Sequence, residues 1–530
     1  MTERLSTSDP VSLVSIASST DEELTPHTAA LDASLTGEQV DAVVRRALDL
    51  DTSERALHRL VRPTDWVVLK PNIVTSPTHD CSYWRGGVAH PGQVTDLRVM
   101  RSLVAYLLER CPPRRLSIAE GGAEWQRGNG KDGLDGWTCT WPDFDNLSYT
   151  GIVEEFGRSH PGVVDIVDLN EDEIRFLPVP DPHDTGIGAL QRVGAKRRSE
   201  DRYGRWDFVP GTGELRQGYH IPATVVDCDV IVSVPALKTH SCATTLAIKN
   251  YVGILPTHPS GVVKKGQVHD GDFQKGFVDL FSYHPADYSV IEGFWSTEGN
   301  GPQWGDNLRH NVVVAGADPV AVDAVGSELI GYNAADIDYL HYAAAKGFGT
   351  FDLDRIQLTG TPLSQAFRRF DTARGRKDVP FTARGNRRWQ VRLDEAADWQ
   401  SVESEERYID LAQLLQPQTP DQTPDQAWAA VTVEAQADMA GVLWASADGA
   451  FRVELNGEMV AERQDVAEHR LGEYKVDVQL RAGRNSLRVH VRGGGDSLGF
   501  TAILCDGHGY GLRGIRHAAV PEPAAEPVTA

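Results

Sequence analysis

Apolar and polar positions alternate in two textures along this chain. Over roughly the first 360 residues, short uncharged runs alternate with stretches of helical period. Residues 11–16 (VSLVSI) predict a first strand. Residues 36–50 place Val40, Val43, Val44, Ala47 and Leu48 on one helical face, behind a Thr36-x-x-Gln39 capping box. Residues 66–70 (WVVLK) predict a strand that Pro71-Asn72 ends. A second helix follows over 95–110, with Thr95 or Asp96 as cap and Val99, Leu103, Tyr106 and Leu107 as its stripe. Residues 115–119 predict the next strand, followed by Glu120-Gly121-Gly122. This β-α-β-α-β order is that of an open, mostly parallel α/β sheet with helices on both faces.

The stretch 229–256 is the centre of this pattern. Val230 to Val234 is a buried-type strand without a charge, and Pro235 stops it. Lys238, His240, Cys242, Lys249 and Asn250 follow within a short span. Before it lies a long insertion, 124–220, with a helix predicted at 149–156, a strand at 163–169 and a solvated charge run at 196–198. After it, the basic, glycine-rich segment 261–276 reads either as a lid over a ligand or as a merely mobile stretch, and a short helix is predicted at 278–282. A strand over 288–291 ends at Glu292, a glycine-rich loop covers 294–307, and another strand covers 311–315. Asp318 caps a helix that starts at Pro319 and runs to 329. A further helix at 335–346 and a strand at 355–359 close the domain, which is expected to span 1–363.

Beyond it the texture changes. Residues 364–415 are charged and read as a helical or irregular extension. Residues 416–427 contain a tandem TPDQ and read as a Pro-rich linker. From 428 to 515 short alternating runs recur without helices, and Asn456-Gly457 between two of them is a hairpin signal. That predicts an all-β sandwich accessory domain, followed by a disordered tail at 516–530.

Composition narrows the function. The net charge of −23 argues against nucleic acid or an anionic membrane surface as partner. It does not exclude a small anion in a locally cationic pocket. The six cysteines are scattered without a C-x-x-C pair, which argues against a zinc ribbon, a ferredoxin-type iron–sulfur cluster or a disulfide scaffold. With no secretory signal and no membrane-length apolar run, the expected location is cytoplasmic.

The candidate chemistry lies at strand ends. Lys70 and Asn72 follow the second strand, Glu120 the third, Lys238 and His240 the central one, and Glu292 the next. A parallel sheet gathers such residues at one edge, where ligands bind in doubly wound folds. His240 is the candidate for proton transfer, with Lys238 and Lys249 stabilising charge. Lys70, Asn72, Asn250, Gly299 and Gly301 are candidate substrate contacts, the two glycines through backbone N–H groups around an anion. Glu120, Glu292 and Asp323 are candidate ligands for a divalent metal, with His79, Asp80, His90, His269 and Asp270 as further positions. Cys242 is a lesser candidate nucleophile.

Five blocks carry a family resemblance: VVLKPNIV (67–74), TDLRVMRSLVAYL (95–107), DCDVIVSVPALKTHSCATTLAIKNYVGILP (227–256), DYSVIEGFWSTEGNGPQWGD (287–306) and NVVVAGADPVAVDAVGSELIGY (311–332), the last followed by GFG at 347–349. In this order they resemble the domain of unknown function 362 family over about residues 11–360, the VPxLKTH…KNxxG block most diagnostically. Many members of that family look like iron–sulfur proteins through appended ferredoxin cysteines, a motif this chain lacks. The FRVxLNG…LxAGxNxLxVxV pattern is similar to accessory modules beside glycoside-active enzymes, which implies carbohydrate contact or self-association through the sandwich. The leading expectation is an enzyme of unassigned reaction class acting on a small anionic substrate, with or without a divalent metal. An iron–sulfur-associated redox protein is the second reading. The third is a non-catalytic binding or assembly protein using its β-sandwich.

Overall fold

The computed structural model describes residues 12–518, except 76–89, 123–134, 183, 187–205, 209–214, 241–242, 257–267, 269–272, 303, 372–384, 387, 395, 405–407, 416–424, 471–472, 494–497, 507–510 and 513. Two compact units divide the chain, Met1–Asp378 and Val379–Ala530.

In the first unit the strands are β1 (Ser12–Ser18), β2 (Trp66–Pro71), β3 (Arg115–Glu120), β4 (Val164–Asp168), β5 (Ile174–Pro178), β6 (Trp206–Phe208), β7 (Leu215–Pro222) and β8 (Val230–Val234). They continue with β9 (Ala236–His240), β10 (Ala243–Thr245), β11 (Tyr288–Asn300), β12 (Trp304–Leu308), β13 (Val312–Gly316) and β14 (Ile356–Gly360). The main sheet has the order β14-β1-β13-β11-β8-β2-β3-β4, with β9, β10 and β12 attached beside β11. The pairs β1–β14, β8–β11, β2–β8, β2–β3 and β3–β4 are parallel. Strand β13 alone on this path runs against its neighbours. The sheet is therefore mixed but mostly parallel, and β5, β7 and β6 make a small sheet of their own.

Side chains alternate across the sheet. Val67, Leu69, Leu116, Ile118, Val230, Val232, Val290 and Val313 share one core with the helices Gly37–Leu50, Leu97–Arg110 and Tyr149–Gly157. On the opposite face the helix Pro319–Leu329 packs on Ile291, so closely that a Cβ at Gly326 would come within 2.8 Å of Ile291 Cδ1. The caps follow the sequence signals. Thr36 and Gln39 form the capping box, Asp96 caps through Arg98 N, and Asp318 caps through Ala321 N at 3.0 Å.

Three segments differ from expectation. The glycine-rich stretch 294–307 is not a loop: β11 continues through it and turns at Gly301-Pro302 into β12. Its glycines are there because Gly301 and Gly305 lie against backbone atoms of Thr239 and Glu298. Pro235 interrupts the central strand without ending it. Strand β9 resumes at Ala236, pairs with β11, and makes Lys238 a strand residue. The segment 364–415 is not a separate extension either. Within it, β15 (Arg388–Arg392), β16 (Gln400–Glu403) and β17 (Ile409–Asp410) join the second unit. Trp389 and Val391 point into that unit's core, whereas the charges that masked the pattern lie at the alternate positions Arg388 and Arg392.

The second unit also contains β18 (Gln426–Ala435), β19 (Met439–Asp448), β20 (Ala450–Leu455), β21 (Glu458–Arg463), β22 (Tyr474–Leu480), β23 (Gly483–Arg492), β24 (Gly499–Cys505) and β25 (Ile515–Ala518). One antiparallel sheet has the order β16-β15-β18-β23-β20-β21 with β25 on β18, the other β17-β24-β19-β22. One apolar core between them includes Trp389, Val431, Val433, Leu443, Val489 and Phe500, which is the sandwich arrangement. Strand β18 already begins at Gln426, inside the expected linker, and β25 reaches into the expected tail. The rest of the linker, the charge run 196–198, most of the expected lid, and the residues His79, Asp80, Cys242, His269 and Asp270 lie outside the described residues. Among the described residues no helix is long and apolar enough to cross a membrane.

Candidate functional site

Strands β2, β3, β8–β9 and β11 run parallel, so their C-terminal ends share one edge. Charged residues are buried there in two connected groups. In the first, Lys70 on β2 forms an ion pair with Glu120 at the end of β3. The Lys70 ammonium also donates to Pro71 O at 3.0 Å and Asn250 Oδ1 at 3.3 Å. Asn250 Nδ2 in turn donates to Lys70 O at 3.0 Å and to Ser233 Oγ at 3.1 Å. Gly253 closes over the pair, and a Cβ there would collide with Glu120 Oε1 and Lys70 Nζ. All three N–H groups of the Lys70 ammonium and the whole Asn250 amide are thus used within the protein. These two expected substrate contacts are sealed supports.

The second group surrounds Lys238, which is fully buried. Its ammonium donates to Asn72 Oδ1 and, at 2.6 Å, to Gln93 O. Both acceptors are neutral. Burial pushes its pKa well below 10.5; Lys249 and Lys70 add to that, while Glu292 and Glu120 oppose it. The same couplings place Lys70, Glu120, Lys238, Lys249 and Glu292 in one electrostatic neighbourhood. Lys249 is also buried, with its ammonium 5.8 Å and 5.6 Å from the Phe273 and Phe277 ring centroids. The Lys70 pKa is lowered by burial against the pull of Glu120.

The three expected metal ligands stand apart in role. Glu120 pairs with Lys70. Glu292 accepts from Asp96 N at 3.1 Å and Phe294 N at 3.2 Å. Burial, followed by the nearby Asp96 carboxylate, raises the Glu292 pKa well above 4.5. Asp323 accepts from Ala247 N at 2.6 Å and Ile248 N at 3.0 Å, which holds the turn that leads to Lys249. Burial pushes its pKa up to about 7. Among the described residues no three His, Cys, Asp or Glu side chains form a group suited to a metal.

The glycine turn also departs from expectation. Gly299 N donates to Asp371 O at 2.6 Å and Gly301 N to Gly299 O at 2.9 Å, so neither amide faces an anion. His240 ends β9 half-buried, its ring centroid 6.1 Å from that of Phe273. The described cysteines Cys111, Cys139, Cys228 and Cys505 are buried.

Several participants were not singled out by sequence reasoning. Gln93 supplies a backbone carbonyl to Lys238, and Asp96, paired with Arg98 at 2.6 Å, adds to the burial that raises the Glu292 pKa. Ser233 anchors Asn250. Tyr149 is almost fully buried, and its hydroxyl finds no partner. Its pKa is raised well above 10 by burial first, then by Glu120, Cys139, Glu292 and Asp96. His90 was named only as a further metal position, and the charge of Lys238 acts on it. Apart from the helix-cap signal of Asp96, none of these has a local sequence signature. Each gains its role from a contact across the fold.

Residues 182–328 match the family model described as "Domain of unknown function (DUF362)". Over that stretch the chain is similar to this family. Lys238, His240, Lys249, Asn250, Glu292 and Asp323 lie inside the matched stretch, whereas Lys70, Asn72, His90, Gln93 and Glu120 precede it. A curated relative is Thylakoid-associated protein sll1697 from Synechocystis sp., 29% identical over 114 residues, or 21% of this chain. The match spans 36% of that relative's length. Among solved structures, the β-D-glucuronidase of Dictyoglomus thermophilum is similar at 10% identity over 20% of this chain and 18% of that chain, with a TM-score of 0.16. A family 35 carbohydrate binding module from an environmental isolate is similar at 16% identity over 20% of this chain and 85% of that one, with a TM-score of 0.14. TM-scores this low establish no shared fold.

Proposed function

We propose that the first unit binds a small anionic substrate at this strand-end edge, and that Lys238 is its principal cationic contact, backed by Lys249. The observation that carries the reading is the state of Lys238: a fully buried ammonium whose protein partners are two neutral oxygens. A buried charge without a counter-charge is costly, and the usual relief is a partner or loss of the proton. An anion supplies the partner. Thr245 and Thr297, opposite Lys238 on β10 and β11, support the reading. Each buries a hydroxyl for which the protein provides no hydrogen-bond partner.

The same features suit an enzyme. A lysine whose pKa is lowered by burial and by a second cation accepts or returns a proton more readily as the ligand's charge changes. Lys70, Glu120, Asn250 and Glu292 fix the strand ends around it. Anion binding raises the Lys238 pKa. Affinity is therefore complete below the unliganded pKa and is lost as pH rises through the liganded one.

The test is thermal stabilisation of the full chain by phosphate, sulfate, malate and succinate, compared with Lys238→Met. At least one anion should raise the wild-type midpoint, and none should raise that of the variant. Equal shifts in both proteins would remove Lys238 from the site.

A further inference from the structure

His90 lies on the turn that supplies an acceptor to Lys238, and the charge of Lys238 acts on its ring. His90 begins the turn Pro91–Gln93, and the same turn presents the Gln93 carbonyl to Lys238. That turn is tied down on several sides. Gln93 Oε1 accepts from His90 N at 3.2 Å, and Gln93 Nε2 donates to Pro302 O at 3.0 Å. Gly92 N donates to Asn307 Oδ1 at 3.1 Å, and any Cβ on Gly92 would strike Ser296 O on β11. The imidazole position is therefore set by the β11–β12 hairpin and by β9 together.

Both ring nitrogens of His90 are buried, and neither has a partner in hydrogen-bonding geometry. The Asn307 side chain approaches the ring as a long hydrogen-bond partner outside that geometry and favours its charged form, as does the Asp306 charge. Burial and Lys238 act the other way and prevail, bringing the His90 pKa down to about 4. Two open nitrogens on a neutral ring are one N–H donor and one acceptor. Leaving both buried without partners is costly. The His240 ring, at the end of β9, packs near Phe273 with centroids 6.1 Å apart.

We infer that His90 is a specificity-determining contact of the Lys238 site, and that the ligand is an oxyanion carrying an O–H group of its own. The anionic oxygen meets Lys238. The ligand O–H donates to the unprotonated His90 nitrogen, and the other ring nitrogen donates back to a ligand oxygen. The class includes 2-hydroxycarboxylates and monohydrogen phosphate, and the inference rests on the anion reading above. A site built to pair with a hydroxyl discriminates strongly against an analogue without one, because its own polar groups are then left unpaired.

Matched probes test it by calorimetric titration of the full chain: malate against succinate, and phosphate against sulfate. In at least one pair the hydroxyl-bearing member should bind at least about tenfold more tightly. That ratio should fall to near one in His90→Phe, recover in part in His90→Gln, and persist in His240→Phe. Binding without preference for the hydroxyl-bearing members overturns this inference alone, as does a preference that survives His90→Phe. Absence of binding by all four probes overturns both this inference and the anion reading. Circular dichroism of each variant establishes that it is folded before titration.

Discussion

Replacing Lys70 by Met tests whether the inner group is a support rather than a ligand contact. Lys70 and Glu120 are both almost fully buried. Removing the ammonium leaves the Glu120 carboxylate without its counter-charge, and deprives Pro71 O and Asn250 Oδ1 of a donor. Breaking one side of a buried pair costs about 3–5 kcal/mol. Replacing both partners by apolar groups of similar size, Lys70→Met with Glu120→Leu, removes the stranded charge and should recover most of that loss. Hydrogen exchange followed by mass spectrometry reads the effect locally, on peptides covering β2 and β3. At about 1.4 kcal/mol per tenfold, the single variant should exchange roughly 100- to 4,000-fold faster there. The double variant should fall back at least about tenfold toward wild type. Exchange within threefold of wild type in Lys70→Met would refute the reasoning, and so would a double variant as labile as the single one.

Four other outcomes follow from the same contacts. Gly253→Ala drives a methyl into Glu120 and Lys70, whereas Gly299→Ala meets open space at a φ of +72°; the first should lower the thermal midpoint by several degrees and the second should cost only about 1 kcal/mol of backbone strain. Tyr149→Phe removes a buried hydroxyl that has no partner, so urea denaturation should find it neutral or more stable, by up to about 1–3 kcal/mol. Asp323→Asn keeps one acceptor for two amides and should cost about 1–3 kcal/mol near pH 5. Because the Asp323 pKa is raised from 3.8 to about 7, its contribution is complete below pH 4 and declines as pH rises toward and through 7; the stability gap between wild type and Asp323→Asn should narrow over that range, and a gap that widens would contradict the assignment.

The sheet was legible because its strands are uncharged runs and its helices keep a 3.6 period with caps at Thr36, Asp96 and Asp318. The gathering of Lys70, Glu120, Lys238 and Glu292 followed from strand direction alone. Misreadings arose where one local signal served a nonlocal purpose. Glycines at 299–305 looked like a loop, but they let a hairpin lie against Thr239 and Glu298. Pro235 looked like a stop because the missing N–H is visible in sequence and the resumed pairing of β9 with β11 is not. In β15 only five residues alternate, too few to outweigh the arginines at its outward positions. The division of labour among the lysines was also hidden. Nothing near Lys70 in sequence announces that Glu120, Pro71 and Asn250 use its ammonium fully, or that Lys238 meets only neutral oxygens.

The central claim is that an anion completes the charge of Lys238, and proton uptake tests it most directly. Calorimetric titrations with the best-bound of the four probes, at mildly alkaline pH in buffers of different ionisation enthalpy, count the protons taken up per anion bound. Because burial lowers the Lys238 pKa and an anion raises it again, wild type should take up a substantial fraction of one proton, and residual binding to Lys238→Met should take up less. Binding with no proton uptake, or uptake unchanged in Lys238→Met, would contradict the account.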